Sequence, residues 1–89
     1  MTALLENQFK ITIRSPTKTH VEQDVVFVIL PGTEGEFGVL KDHTSFVTTL
    51  KVGEVKIYRE DRNNLTQTIN INGGFADIKN NHCHLLVQE

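Results

Sequence analysis

The sequence predicts an all-β fold, a small β-sandwich of two mostly antiparallel sheets. Three observations predict it. The dominant hydrophobic period is two, the spacing of a strand with one face in a core. Turn-forming residues interrupt that period at short, regular intervals, as they do in sandwiches and barrels. No segment carries a helical apolar stripe; only Ala3 to Gln8 has the composition for a turn or two of helix, too short to stand alone.

Phe9, Ile11 and Ile13 alternate with Lys10, Thr12 and Arg14, which reads as a half-buried strand. Ser15-Pro16 breaks it, because proline fixes φ and has no N–H to donate. A short polar strand is expected at Lys18 to Glu22. Val25 to Leu30 is a continuous apolar run of six residues ending at Pro31-Gly32. It is too short for a typical helix and rich in β-branched residues, so it reads as a strand with both faces covered. Ser45 to Leu50 is mostly β-prone, and Val55 and Ile57 alternate with Glu54, Lys56 and Tyr58. Asp61 to Asn64 is a turn by composition. Ile69 and Ile71 alternate with Thr68, Asn70 and Asn72, and Asn72-Gly73-Gly74 then punctuates the strand as a bulge or tight turn would. Phe75 to Ile78 resumes it. Lys79-Asn80-Asn81 reads as a hairpin turn, after which Cys83, Leu85 and Val87 alternate with His82 and His84.

At 89 residues the expectation is a single domain spanning 1–89. A domain of that size buries roughly 60–65% of its unfolded surface, enough for one core. Lys and Arg total 9 against 11 Asp and Glu, a formal charge of −2 with no basic cluster, which argues against nucleic acid as a partner. The single cysteine, Cys83, rules out an internal disulfide and fits a reducing compartment. No apolar run approaches the length of a membrane span. The N-terminal residues MTALLE lack the basic start and apolar core of a secretory signal. These features lead to the expectation of a soluble, intracellular chain with no direct membrane insertion.

The least ordinary stretch is Pro31 to His43, PGTEGEFGVLKDH, with Gly32, Gly35 and Gly38 at every third position. A phosphate cradle fits poorly. The Walker pattern needs Lys and Ser/Thr after its last glycine, whereas Val39-Leu40 follows here, and Glu34 and Glu36 would repel an anion. Paired catalytic carboxylates need environments that separate their roles, and these two sit among glycines in an expected exposed turn. Docking fits better: the glycines allow tight turns, Phe37 is either a core plug or an exposed anchor, and the acidic rim suits a basic partner.

His82 and His84 share one strand face, which makes half of a metal site, but two ligands are not enough. Cys83 points the other way with Leu85 and Val87, as a core residue would. Asp24, His43 and Ser45 form no local triad motif.

Several stretches are colinear with one family. FKITIRSP (Phe9 to Pro16), VILPGTEGEFGVL (Val28 to Leu40), Asp42-His43, LKVGEVKI (Leu50 to Ile57) and NGGF (Asn72 to Phe75) together resemble the N-terminal domain of the F-type ATP synthase epsilon subunit, the counterpart of mitochondrial delta. The chain departs from the family pattern at Lys41-Asp42, where Pro-Gly is frequent, and at Thr44-Ser45-Phe46, where a small residue and Pro-Leu are frequent. It stops at Glu89, where the sandwich should end, so the C-terminal helical hairpin of typical bacterial members is not expected in it.

The resemblance implies a non-catalytic domain with no cofactor, part of the rotor's central stalk. It would bind the gamma subunit, rest on the c-ring and couple proton flow to ATP synthesis. It would lie peripherally on the cytoplasmic face of a bacterial inner membrane, or the matrix face in mitochondria. Glu34, Gly35, Glu36, Phe37 and His43 are implied to face the c-ring, and Ser15 and Thr48 to face gamma. The alternatives are a free-standing β-sandwich binding module or a small metal-dependent enzyme using His82 and His84.

Overall fold

A computed structural model of the protein describes residues 7–88. The helical expectation for Ala3 to Gln8 falls mostly outside the described residues; Asn7 and Gln8 are not helical. All regular structure among the described residues is strand: β1 (Phe9–Arg14), β2 (Thr19–Val25), β3 (Phe27–Gly32), β4 (Gly35–Val39), β5 (Phe46–Tyr58), β6 (Gln67–Lys79) and β7 (His82–Val87). They form one hydrogen-bonded order, β2-β1-β7-β6-β5-β3-β4. Every neighbouring pair is antiparallel except β1 and β7, which run parallel.

Seven strands in one order still make two layers. Ile11, Ile13, Val25, Val28, Leu30, Val55, Ile57, Cys83 and Leu85 are all 0% exposed. Only other strands are available among the described residues to cover them, so the sheet folds over and covers itself. The fold is made within β5 and β6. Along β5 the buried side changes from Leu50 to Val55 and Ile57; along β6 it changes from Ile69 and Ile71 to Ala76 and Ile78. The register stays continuous through this change, with Leu50 opposite Gly74 and Gly53 opposite Ile71. The two-stranded ribbon therefore twists as a unit and passes from one layer to the other, as strands do at the corners of folded sheets.

Asn72-Gly73-Gly74 is neither a turn nor a register-shifting bulge. It is the bend of that ribbon, with Gly73 at φ 105 and Gly74 at φ 142. A Cβ on Gly74 would press on the Leu86 carbonyl oxygen and stand 2.8 Å from Val87 Cα. The expected hairpin turn at Asn80-Asn81 is present: both residues have positive φ, 53 and 59, the requirement of a type I′ turn.

The apolar run Val25 to Leu30 is not one strand. Val25 closes β2, Val26 sits in a bend with its N–H bonded to the Tyr58 carbonyl at 2.9 Å, and Phe27 opens β3. Val25 and Val28 both reach the core, so the inward side shifts across the bend. The run is apolar because the chain turns a corner there and because Phe27 is covered on its outer face. Its ring lies 5.1 Å from Tyr58, with the Arg62 guanidinium 5.6 Å from its centroid. The polar strand expected at Lys18 to Glu22 is β2, which extends further to Val25.

Candidate functional site

The glycine-rich stretch is a β-hairpin rather than an open loop. β3 includes Pro31 and Gly32, the chain turns at Thr33-Glu34, and β4 begins at Gly35 with φ 133. Pro31 lies in the irregular interval of the β3–β5 pairing, between Ile29 and Gly32, where a missing N–H costs no ladder bond. The hairpin tip is tied to β5: the Thr33 N–H donates to the Thr49 carbonyl at 3.1 Å, and the two threonine hydroxyls are 2.9 Å apart.

Beyond that tie, β5 continues toward its own start, and the hairpin leans over it. Phe37 is half-buried against the core and meets Phe46 edge-on, centroids 5.5 Å apart at 84°. Phe37 is thus both core support and groove wall, which joins the two readings of it. The His43 ring stands 6.2 Å from Phe46. Its Nδ1 lies 2.7 Å from the Thr44 carbonyl; a carbonyl only accepts, so Nδ1 carries a proton. The turn before His43 has Asp42 at φ 65. Aspartate tolerates this region better than most residues, and here it is clipped in place: its N–H donates to Asn81 Oδ1 at 2.7 Å, and Asn81 Nδ2 donates back to its carboxylate at 3.2 Å.

One groove results. It is lined by Glu34, Gly35, Glu36, Phe37 and His43, and by Phe46, Val47, Thr48 and Thr49 of β5. The five residues expected at one interface are brought together, and Thr48, expected at a different one, joins them. Glu34 and Glu36 are exposed and form no ion pair among the described residues, so their charge is turned to solvent. Phe46 and Val47 belong to the groove although the sequence marked Phe46 only as a departure. The available signal was two adjacent apolar residues just after the motif.

Ser15 lies elsewhere. It is 4% exposed at the end of β1, its Oγ 2.9 Å from His20 Nε2 and 3.4 Å from the Lys18 carbonyl. β7 and β6 separate β1 from the strand that carries Thr48. Asp24, on β2, stands opposite Lys10 of β1, while the His43 ring is hydrogen-bonded to the Thr44 carbonyl rather than to a carboxylate.

His82 and His84 do share a face. Their rings stack at 4.6 Å and 9°, and His82 Nε2 is 2.9 Å from Thr12 Oγ1. Burial, then the neighbouring His84 and Lys10, hold the His82 pKa below its ordinary 6.5, with Glu22 opposing. Among the described residues no group of three His, Cys, Asp or Glu side chains could hold a metal ion. Cys83 is buried, and burial pushes its thiol up to about 12. It therefore stays protonated and inert at neutral pH.

Comparison with known proteins adds three findings. The family model for the ATP synthase delta/epsilon chain, β-sandwich domain, matches residues 8–89. Among curated proteins, the ATP synthase epsilon chain of Rhodospirillum centenum is 31% identical over 96% of this chain and 58% of its own length. That of Desulforapulum autotrophicum is 37% identical over 84% of this chain and 53% of its own. The chain thus spans little more than half the length of the curated relatives it matches. Among solved structures, the Euglena gracilis mitochondrial ATP synthase contains a chain that superposes with a TM-score of 0.79, at 22% identity, over 90% of this chain and 50% of that one. A chain in the central stalk and c-ring structure of the Tetrahymena thermophila enzyme gives 0.74, at 19% identity, over 90% and 63%. At those identities the likeness is one of fold. With a family match over nearly every residue and the motif hairpin built into a groove, this chain belongs to the delta/epsilon-chain family of ATP synthase, as its β-sandwich domain.

Proposed function

We propose that the protein is a non-catalytic element of an ATP synthase rotor, linking the gamma subunit to the c-ring so that proton flow drives ATP synthesis. The observation that carries this reading is the groove. A hairpin held by glycines and two threonines sets Glu34 and Glu36, exposed and without an ion pair among the described residues, beside an aromatic wall of Phe37, Phe46 and His43. Such a surface suits a polar loop that presents cations: the carboxylates attract it, and the aromatic faces accept a guanidinium or ammonium. In this reading the domain sits peripherally on the cytoplasmic face of a bacterial inner membrane, or on the matrix face in mitochondria, and needs no cofactor.

The test is the triple variant Glu34→Gln/Glu36→Gln/His43→Ala, assembled into the synthase. All three side chains lie at the surface, so its melting should stay near that of the parent. Proton-driven ATP synthesis in membrane vesicles should fall several-fold. Normal synthesis by the folded triple variant would sink the proposed role of the groove.

A further inference from the structure

We infer that Asn81 is a positioning residue of the groove. It holds the turn that carries His43 and so sets where the His43 ring stands against Phe46, although it lies 39 residues along the chain from the residue it grips, Asp42.

Leu40 to His43 form a four-residue turn, closed by the His43 N–H, which donates to the Leu40 carbonyl at 3.2 Å. Asp42 is its third residue, at φ 65, the position where a type II turn needs positive φ and where glycine or asparagine is usual. Aspartate holds that conformation at a cost, so the turn does not fix its own shape. Nor does His43 fix it. Its hydrogen bonds, to the Leu40 and Thr44 carbonyls, stay within the same few residues. No strand is assigned between Val39 and Phe46 to brace them.

The brace comes from the β6–β7 turn. The Asn81 amide meets Asp42 with both its ends: Oδ1 accepts the Asp42 N–H at 2.7 Å, and Nδ2 donates to the Asp42 carboxylate at 3.2 Å. Two bonds to one residue restrict its rotation as well as its position, and His43 is the next residue in the chain. Asn81 is itself held. Its carbonyl accepts the Lys10 N–H at 3.1 Å, which ties the turn to the start of β1. The site asks for an uncharged side chain with an acceptor and a donor, on a backbone at φ 59. Asparagine supplies all of these. Aspartate would lose the donor and set a second carboxylate beside Asp42; glycine would keep the backbone and lose both bonds. Because both clip bonds are exposed, each contributes little net stability. Their effect falls on the shape of the turn and, through it, on the groove wall.

The inference rests on the rotor reading only for what the groove does; where the ring stands is read directly. In solution NMR of the full chain, Asn81→Gly should remove the nuclear Overhauser contact between the His43 and Phe46 rings and move the His43 ring signals toward those of an unstructured histidine. Asn81→Asp should do the same by a different route. In the assembled synthase, Asn81→Gly should lower proton-driven ATP synthesis about threefold, the scale of coupling between residues in one network. The double variant His43→Ala/Asn81→Gly should then be no worse than His43→Ala alone, whereas a merely structural role would make the two losses multiply. A parental contact between the two rings in both folded variants overturns the inference, and so do multiplying losses. A displaced ring with undiminished synthesis, in a synthase that the groove triple variant does impair, overturns it too. Normal synthesis by the triple variant overturns the rotor reading instead, and the NMR result alone then decides whether Asn81 places His43.

Discussion

Gly35 and Gly74 have nearly the same φ, 133 and 142, in opposite surroundings. Gly35 opens β4 at the hairpin tip, and a Cβ built there meets nothing within 4 Å. Gly74 lies in the ribbon bend, where a Cβ would run into the backbone of Leu86 and Val87. Both positions are glycine for the left-handed side of φ, but only one is also glycine for lack of room. The pair separates two costs that a sequence shows with one letter: the conformational penalty of a side chain at positive φ, and the steric penalty of a side chain against a neighbouring strand.

The sharpest way to break this comparison is substitution at both sites. Gly74→Ala should cost about 3 kcal/mol or more, because the obstructing atoms are backbone and the β6–β7 pairing must open to admit a methyl group. Urea unfolding of the full chain measures it. A cost equal to that of Gly35→Ala would show that the bend has slack. Next in size is Asn81→Ala, at about 1.5 kcal/mol: an ordinary residue is placed at φ 59 and the clip to Asp42 is lost. Asn81→Gly sharpens the point, since it restores the backbone preference without the clip. It should recover most of the stability while leaving the His43 turn looser, visible as faster amide exchange at Asp42. Gly35→Ala should cost about 1 kcal/mol, a purely conformational loss.

The smallest expected effect is one of pH. His82 has its folded-state pKa below the ordinary 6.5, first because burial disfavours its charged form. The unfolded chain therefore binds the proton more readily. Stability contributed by neutral His82 is present above about pH 6.5 and declines as pH falls through the lower folded-state value. The melting temperature should be lower at pH 5 than at pH 7, and His82→Gln should narrow the gap. An unchanged gap would place the pH sensitivity in other groups.

The alternating strands were legible because a core on one side writes itself into the sequence at every second residue: Phe9, Ile11 and Ile13 in β1, Cys83, Leu85 and Val87 in β7. The Asn80-Asn81 turn was legible because few residues accept two successive left-handed positions. The corner at Val26 was not. A strand that changes layer and a strand covered on both faces produce the same apolar run, and only the Tyr58 pairing tells them apart. The hairpin at Pro31 to Gly38 was hidden for a related reason: glycines that bring strands close look like glycines that let a loop wander. The stretch was legible as a contiguous motif, Pro31 to His43, but the far wall of the groove it lines was not. Phe46, Val47 and Thr49 come from β5, and nothing local ties them to Glu34 or His43. Ser15, a position marked by resemblance, lies apart from the hairpin, with its hydroxyl 2.9 Å from His20 Nε2.

The parallel pairing of β1 with β7 has a consequence for how the molecule is made. Lys10 pairs with His82, and β2 reaches the rest of the sheet only through β1. During synthesis the β1–β2 hairpin is therefore finished early and has no sheet to join until the last strand leaves the ribosome. Phe9, Ile11 and Ile13 remain uncovered for that interval, and closing so long a loop is slow. A nascent chain stalled after β6 would hold one layer assembled and the other as a loose hairpin with an apolar face, the form in which a chaperone would find it.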